Sequence, residues 1–180
     1  MPLTTYTAGE VLTAASLNDN FAYAASGGLT FIATGTVTAG SALSFNNCFS
    51  ATYTNYLITI NVSAGTVLSL RLRASGTDIS AANYFVAGSY IASGAQTLIN
   101  LTAQTSMKLS NGGNPVNVIS TVCNPFAAFN TTFTNASQRA DSGTFEATGC
   151  LYNASTSADG FTVRGTTMTA TASVYGYAIS

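Results

Sequence analysis

Residues 55–78 read NYLITINVSAGTVLSLRLRASGTD, and their period decides the fold class. Tyr56, Ile58, Ile60 and Val62 take every second position, with Thr59 and Asn61 between them. That is the signature of a strand with one face on a core. Leu68, Leu70 and Leu72 then alternate with Ser69, Arg71 and Arg73, and Ser75-Gly76-Thr77-Asp78 reads as a turn. Outward from this pair, Tyr84 to Ile91, Thr97 to Leu101 and Ser106 to Leu109 read as strands. Asn111-Gly112-Gly113-Asn114 reads as a hairpin turn before a strand from Val116 to Val122. Phe126, Phe129 and Phe133 follow, then a strand from Gly143 to Tyr152 and a tight Asp159-Gly160 turn before Phe161 to Arg164. The closing strand sets Met168, Ala170, Ala172 and Val174 against Thr169, Thr171, Ser173, Tyr175 and Tyr177. Many short strands with frequent turns, and no helices between them, predict a mainly β chain. The expected architecture is an antiparallel β-sandwich, jelly-roll-like, over residues 29–180.

The chain has 180 residues, 47% of them hydrophobic, enough for one ordinary core. Only 6% are charged, against roughly 25% in a usual soluble domain, and the net charge is −1. So little charge weakens the usual defence against association at sheet edges and points to life in a stable assembly. Arg71, Arg73, Lys108, Arg139 and Arg164 form no basic stripe, so no nucleic-acid partner is expected. No apolar run is long enough to span a membrane, and the first residues lack the pattern of a secretory signal. Cys48, Cys123 and Cys150 are odd in number and widely spaced. They read as small buried hydrophobes, with one pair free to bond on sequence grounds.

Residues 1–28 read differently. Thr7-Ala8-Gly9-Glu10 fits a capping box, and Thr13 is the preferred helix N-cap, with Leu12 and Leu17 at staple spacing. Ala14, Leu17, Phe21, Ala24 and Ala25 follow helical spacing, with Asn18 on the same side, and Gly27-Gly28 ends the run. A helix of about a dozen residues is marginal alone in water, so its apolar face needs a partner. That partner is either its own β domain or copies of itself. A heptad phase places Val11, Asn18 and Ala25 at a and Ala14 and Phe21 at d, where a buried asparagine fits a register-setting role. The expected attachment and oligomerisation residues are therefore Val11, Leu12, Leu17, Asn18 and Phe21.

The chain has no histidine, which removes the commonest general base and metal ligand. Glu10, Asp19, Asp78, Asp141, Glu146 and Asp159 are the only carboxylates. Turns account for Asp78 and Asp159, so no acid–base pair stands out. No enzyme activity, cofactor or metal is expected. Arg71 and Arg73 share one strand face, and Tyr175 and Tyr177 another. These four are the expected ligand surface, toward an acidic sugar for the arginines and by stacking for the tyrosines. The plainer reading is a solvated or ion-paired strand face with Asp78 nearby, and tyrosines, Tyr84 and Tyr90 included, that pack cross-strand or at a subunit interface.

Three stretches carry a resemblance. AGEVLTAASLNDNFA is similar to the start of bacteriophage tail-fibre and tail-associated proteins. NYLITINVSA with LRLRASGTD, and DGFTVRG with the ending ASVYGYAIS, resemble the β-rich body and closing strands of a family of phage virion surface proteins. The resemblance implies a virion component made in the host cytoplasm, a homotrimer joined to other virion proteins through residues 1–28. It implies a β-sandwich head over residues 29–180 for host attachment, with surface polysaccharide as the ligand. A short tail fibre for receptor binding is the first expectation. A capsid decoration or cement protein is the alternative, and a depolymerase a remote third.

Overall fold

The computed structural model describes residues 5–11, 13–18, 28–111 and 115–178, with only the backbone at 66 and 67. Ten strands follow one another: β1 (Leu29–Phe45), β2 (Asn55–Ala74), β3 (Thr77–Asp78), β4 (Tyr84–Ala92), β5 (Ala95–Gln104), β6 (Met107–Ser110), β7 (Val116–Cys123), β8 (Thr131–Arg139), β9 (Phe145–Tyr152) and β10 (Gly160–Tyr177). Every pairing is antiparallel, and the path runs β1-β10-β2-β7-β8-β9-β4-β5, with β3 and β6 also paired to β2. The chain is mainly β, as its period predicts. The strands form one curled sheet, and the pairings do not establish a jelly-roll arrangement.

The curl comes from the three long strands. β1, β10 and β2 lose register at one level, around Ala39–Gly40, Thr166–Thr169 and Gly65. Ala39, Thr167 and Gly65 all have positive φ there. A Cβ on Gly65 would come 2.9 Å from Met168 Cα, so the close approach of β2 and β10 needs glycine at this bend. Beyond the bend, β2 pairs with β6 and β3 instead of β7. The second half of β2 then faces β4, tied by the Leu72 N–H donating to the Tyr84 hydroxyl at 3.0 Å. Tyr84 in turn donates to the Ile79 carbonyl and packs on Tyr152, with ring centroids 4.8 Å apart.

Tyr56, Ile58, Ile60, Val62, Leu68, Leu70 and Leu72 are all buried, on the side their alternation assigns. Phe45, Phe49 and Phe161 stack beside them. Ser75-Gly76 makes a two-residue turn with positive φ at both positions, and Thr77 and Asp78 pair straight back onto Ala74 and Arg73. Ser93-Gly94 closes the β4–β5 hairpin in the same way. Asp159-Gly160 opens β10, and the strands expected on either side of residue 165 are one strand with a bulge. The turn expected at 111–114 falls largely outside the described residues.

At the N-terminus the preferred cap at Thr13 forms, while Thr7 and Glu10 close a turn that starts no helix. The Thr7 N–H donates to Glu10 Oε2 at 2.9 Å, closing the turn of Ala8 and Gly9. The Ser16 N–H donates to Thr13 Oγ1 at 3.2 Å, and residues 14–18 are helical, so Thr13 is the N-cap. Leu12, Phe21, Ala24, Ala25 and Gly27 lie outside the described residues. Gly28 accepts the Ala178 N–H at 2.8 Å, so the sheet begins at that glycine.

Candidate functional surface

Strand pairing aligns outward side chains into rows that cross all eight strands of the path. One row runs Thr34, Ser173, Thr59, Ile119, Ala136, Ala147, Ser89, Leu98. The next runs Thr36, Thr171, Asn61, Asn117, Gln138, Phe145, Ile91, Gln96, again by direct register. Neither row contains a charged residue. The β1–β10–β2 half is a field of hydroxyl and amide groups, tied by contacts such as Thr34 Oγ1 to Ser173 Oγ at 3.0 Å. Thr36, Thr38, Asn61, Ser63, Thr169 and Thr171 line a hollow of about 310 Å³ in it. Neutral hydroxyls and amides of this kind fit polar, uncharged ligands.

The β9–β4–β5 half is also uncharged and carries large exposed apolar side chains among Ser89, Gln96 and Asn100. Leu98 is 79% exposed and Ile119, on β7, 57%, with Ile91, Phe145 and Phe85 also open to solvent. A second hollow of about 440 Å³ lies between Phe85, Leu151, Asn100 and Thr132, over a floor of Ala87 and Gly149. A Cβ on Gly149 would meet only carbonyl oxygens at 3.9 and 4.0 Å, so the floor is open.

The four expected ligand residues do not come together. Arg73 pairs with Asp78 and also donates to Asn46 Oδ1 at 2.9 Å, Thr162 Oγ1 at 2.8 Å, Ser44 Oγ at 3.3 Å and the Gly76 carbonyl. The Thr162 hydroxyl completes the cluster by donating to Asp78 Oδ1 at 2.6 Å. Arg71 donates through Nε to the Thr105 carbonyl at 2.9 Å and through Nη2 to Thr105 Oγ1 at 3.2 Å. Tyr175 packs edge-on against Phe31, 5.7 Å between centroids, and Tyr177 is exposed beside Leu29. Arg71 pairs with Thr162 and Leu57 with Tyr175. The two groups therefore lie roughly 40 Å apart along the strand at ~3.3 Å per residue. Tyr84 is fully buried, and desolvation raises the pKa of its phenol.

Alternation gave no hint of a polar seam inside the fold. Ser120, Asn135 and Thr148 form one inward row and Ser137 and Glu146 the next, all buried beneath β6. Asn135 Nδ2 donates to the Leu109 carbonyl at 3.0 Å and Thr148 Oγ1 at 3.3 Å. Glu146, 1% exposed, accepts the Asn111 N–H at 3.0 Å and faces Lys108 Nζ at 3.9 Å. Burial raises the pKa of its carboxyl, while Lys108, the Asn111 N–H and Arg139 pull it back. Among the described residues, no group of three or more Cys, Asp or Glu side chains is placed to hold a metal.

Of the expected attachment residues, Val11 and Asn18 are exposed and Leu17 is half-buried. Among the described residues no helix is long and apolar enough to cross a membrane. A comparison with protein-family models finds no match to this chain, and no curated protein matches it.

Proposed function

We propose that this chain is a phage virion structural protein: a homotrimeric short tail fibre whose N-terminal segment attaches it to the particle and whose β body meets the host surface. The observation that carries the reading is the state of residues 5–11 and 13–18. Their two capped turns are closed by hydrogen bonds within the segment, while Val11 stands 81% exposed. A self-closed segment outside the sheet that leaves Val11 open to solvent is suited to docking on another protein. The neutral hollow around Asn61 and Thr171 is the better-shaped place for a glycan than Arg71 and Arg73, whose donors are already engaged. Three weak sites on one trimer would then bind by avidity.

Deleting residues 1–27 tests the reading. The shortened protein keeps its β circular dichroism signal and no longer enters particles. A truncated chain that unfolds makes the segment part of the core and removes the attachment role. The second reading, a decoration protein on the capsid lattice, draws support from the wide uncharged face, since such a protein works by buried area and not by a pocket. Density for the protein in a particle map decides between tail and head.

A further inference from the structure

We propose that copies of this chain associate through the uncharged β9–β4–β5 half of the outward face, Leu98 of one copy seating in the hollow between Phe85 and Leu151 of the next. This rests on reading the chain as a multimer and names a surface for it.

Charge is the first argument. The outward positions of β7, β8, β9, β4 and β5 hold no Asp, Glu, Lys or Arg. A charged partner or a lipid headgroup layer would desolvate its ions against this face with nothing to pair them. A second copy brings a face equally free of charge and meets no repulsion. Shape is the second. The row from Ile119 through Ala136, Ala147 and Ser89 to Leu98 is large at both ends and small between. Beside it, the hollow of about 440 Å³ is roomy enough for a leucine side chain. The face thus holds both a knob and a hole, which self-association requires.

Area is the third argument. Five strands ~4.8 Å apart and about eight residues long at ~3.3 Å each give a footprint on the order of 500 Å². Two copies would bury about 1,000 Å² in total, the size at which a specific interface begins. The β5 edge adds unpaired backbone groups along Ala95–Gln104, with no charge or proline to blunt it.

The test is the mass of the full-length protein by light scattering across a concentration series. It compares wild type, Leu98→Lys/Ile119→Lys and Val11→Ser/Leu17→Ser. Both lysine sites are more than half exposed, so the fold is kept, and far-UV circular dichroism checks it; Leu98→Ser is the milder version. The wild type is expected to be a multimer and the lysine variant to associate about tenfold more weakly or worse. A wild type that stays monomeric overturns the proposal. So does a lysine variant with wild-type mass. In that case loss of mass in the Val11/Leu17 variant leaves oligomerisation with the N-terminal segment, so the two ideas fail separately.

Discussion

Replacing Arg73 by Met removes the centre of the cluster that joins β2, β3 and β10. Arg73 is 13% exposed at its side chain and Asp78 23%, so the pair is largely but not wholly shielded. Breaking a fully buried pair by removing one partner costs about 3–5 kcal/mol, because a charge is left without compensation. Asp78 keeps the Thr162 hydroxyl and has Arg164 at 3.8 Å, and water reaches part of it. Those three compensations bring the expected loss to about 2 kcal/mol. In urea unfolding, with a slope of about 2 kcal/mol per molar, the midpoint falls by about 1 M. Arg71→Met serves as the control. Among the described residues its guanidinium donates to neutral oxygens of Thr105, so the loss stays within about 1 kcal/mol. The double variant Arg73→Met/Asp78→Leu recovers part of the loss, since no lone carboxylate remains. An unchanged midpoint for Arg73→Met, or a double variant worse than the sum of its singles, refutes the reasoning. Loss of glycan binding without loss of stability would return Arg73 to the role its strand position first suggested.

Two further outcomes follow from burial. Glu146 holds its proton in the folded state above the ordinary value of 4.5, so the folded chain binds more protons than the unfolded one between that value and its raised one. Its contribution to stability therefore grows as pH falls through that window and is lost as pH rises. Glu146→Gln removes this slope, measured as urea midpoints between neutral and mildly acidic pH; an identical slope in the variant contradicts the assignment. Cys48 and Cys150 are buried thiols whose pKa is pushed up to about 12, whereas Cys123 is half-buried on the outward face. A thiol reagent at mildly alkaline pH is expected to modify Cys123 alone in the native protein and all three free cysteines in denaturant. Fast reaction of a second thiol under native conditions contradicts that burial.

How much was legible depended on contrast between neighbouring positions. Strands such as Tyr56–Val62 and Leu68–Leu72 put large apolar residues inward and polar ones outward, so a period of two appears directly. The same holds for β6 and the far end of β10, whereas β4, β5 and β7 also turn Phe85, Ile91, Leu98 and Ile119 outward. β1 hid because it is an edge strand of Thr, Ala, Gly and Ser with few large residues, and much of it stays exposed. β8 was missed, and β9, expected as a strand over residues 143–152, has an inward face that breaks the usual pattern. Their inward faces carry Asn135, Ser137, Glu146 and Thr148, while Ala136, Phe145 and Ala147 point out. There the usual rule runs backwards, because β6 covers the seam and supplies the Leu109 carbonyl and the Asn111 N–H.

The amino-acid sequence by itself determined the mainly β class, most strand positions and the helix N-cap at Thr13. All of these are local: they depend on period, on turn residues or on groups a few positions apart. Only the tertiary structure decided that three strands bend at one level and curl a single sheet over β6. It also decided that Arg71 and Tyr175 lie at opposite ends of a strand and that Leu98 shares a row with Ile119. Those facts are set by register between strands distant in the chain, and register is fixed by how the curled sheet closes on its core.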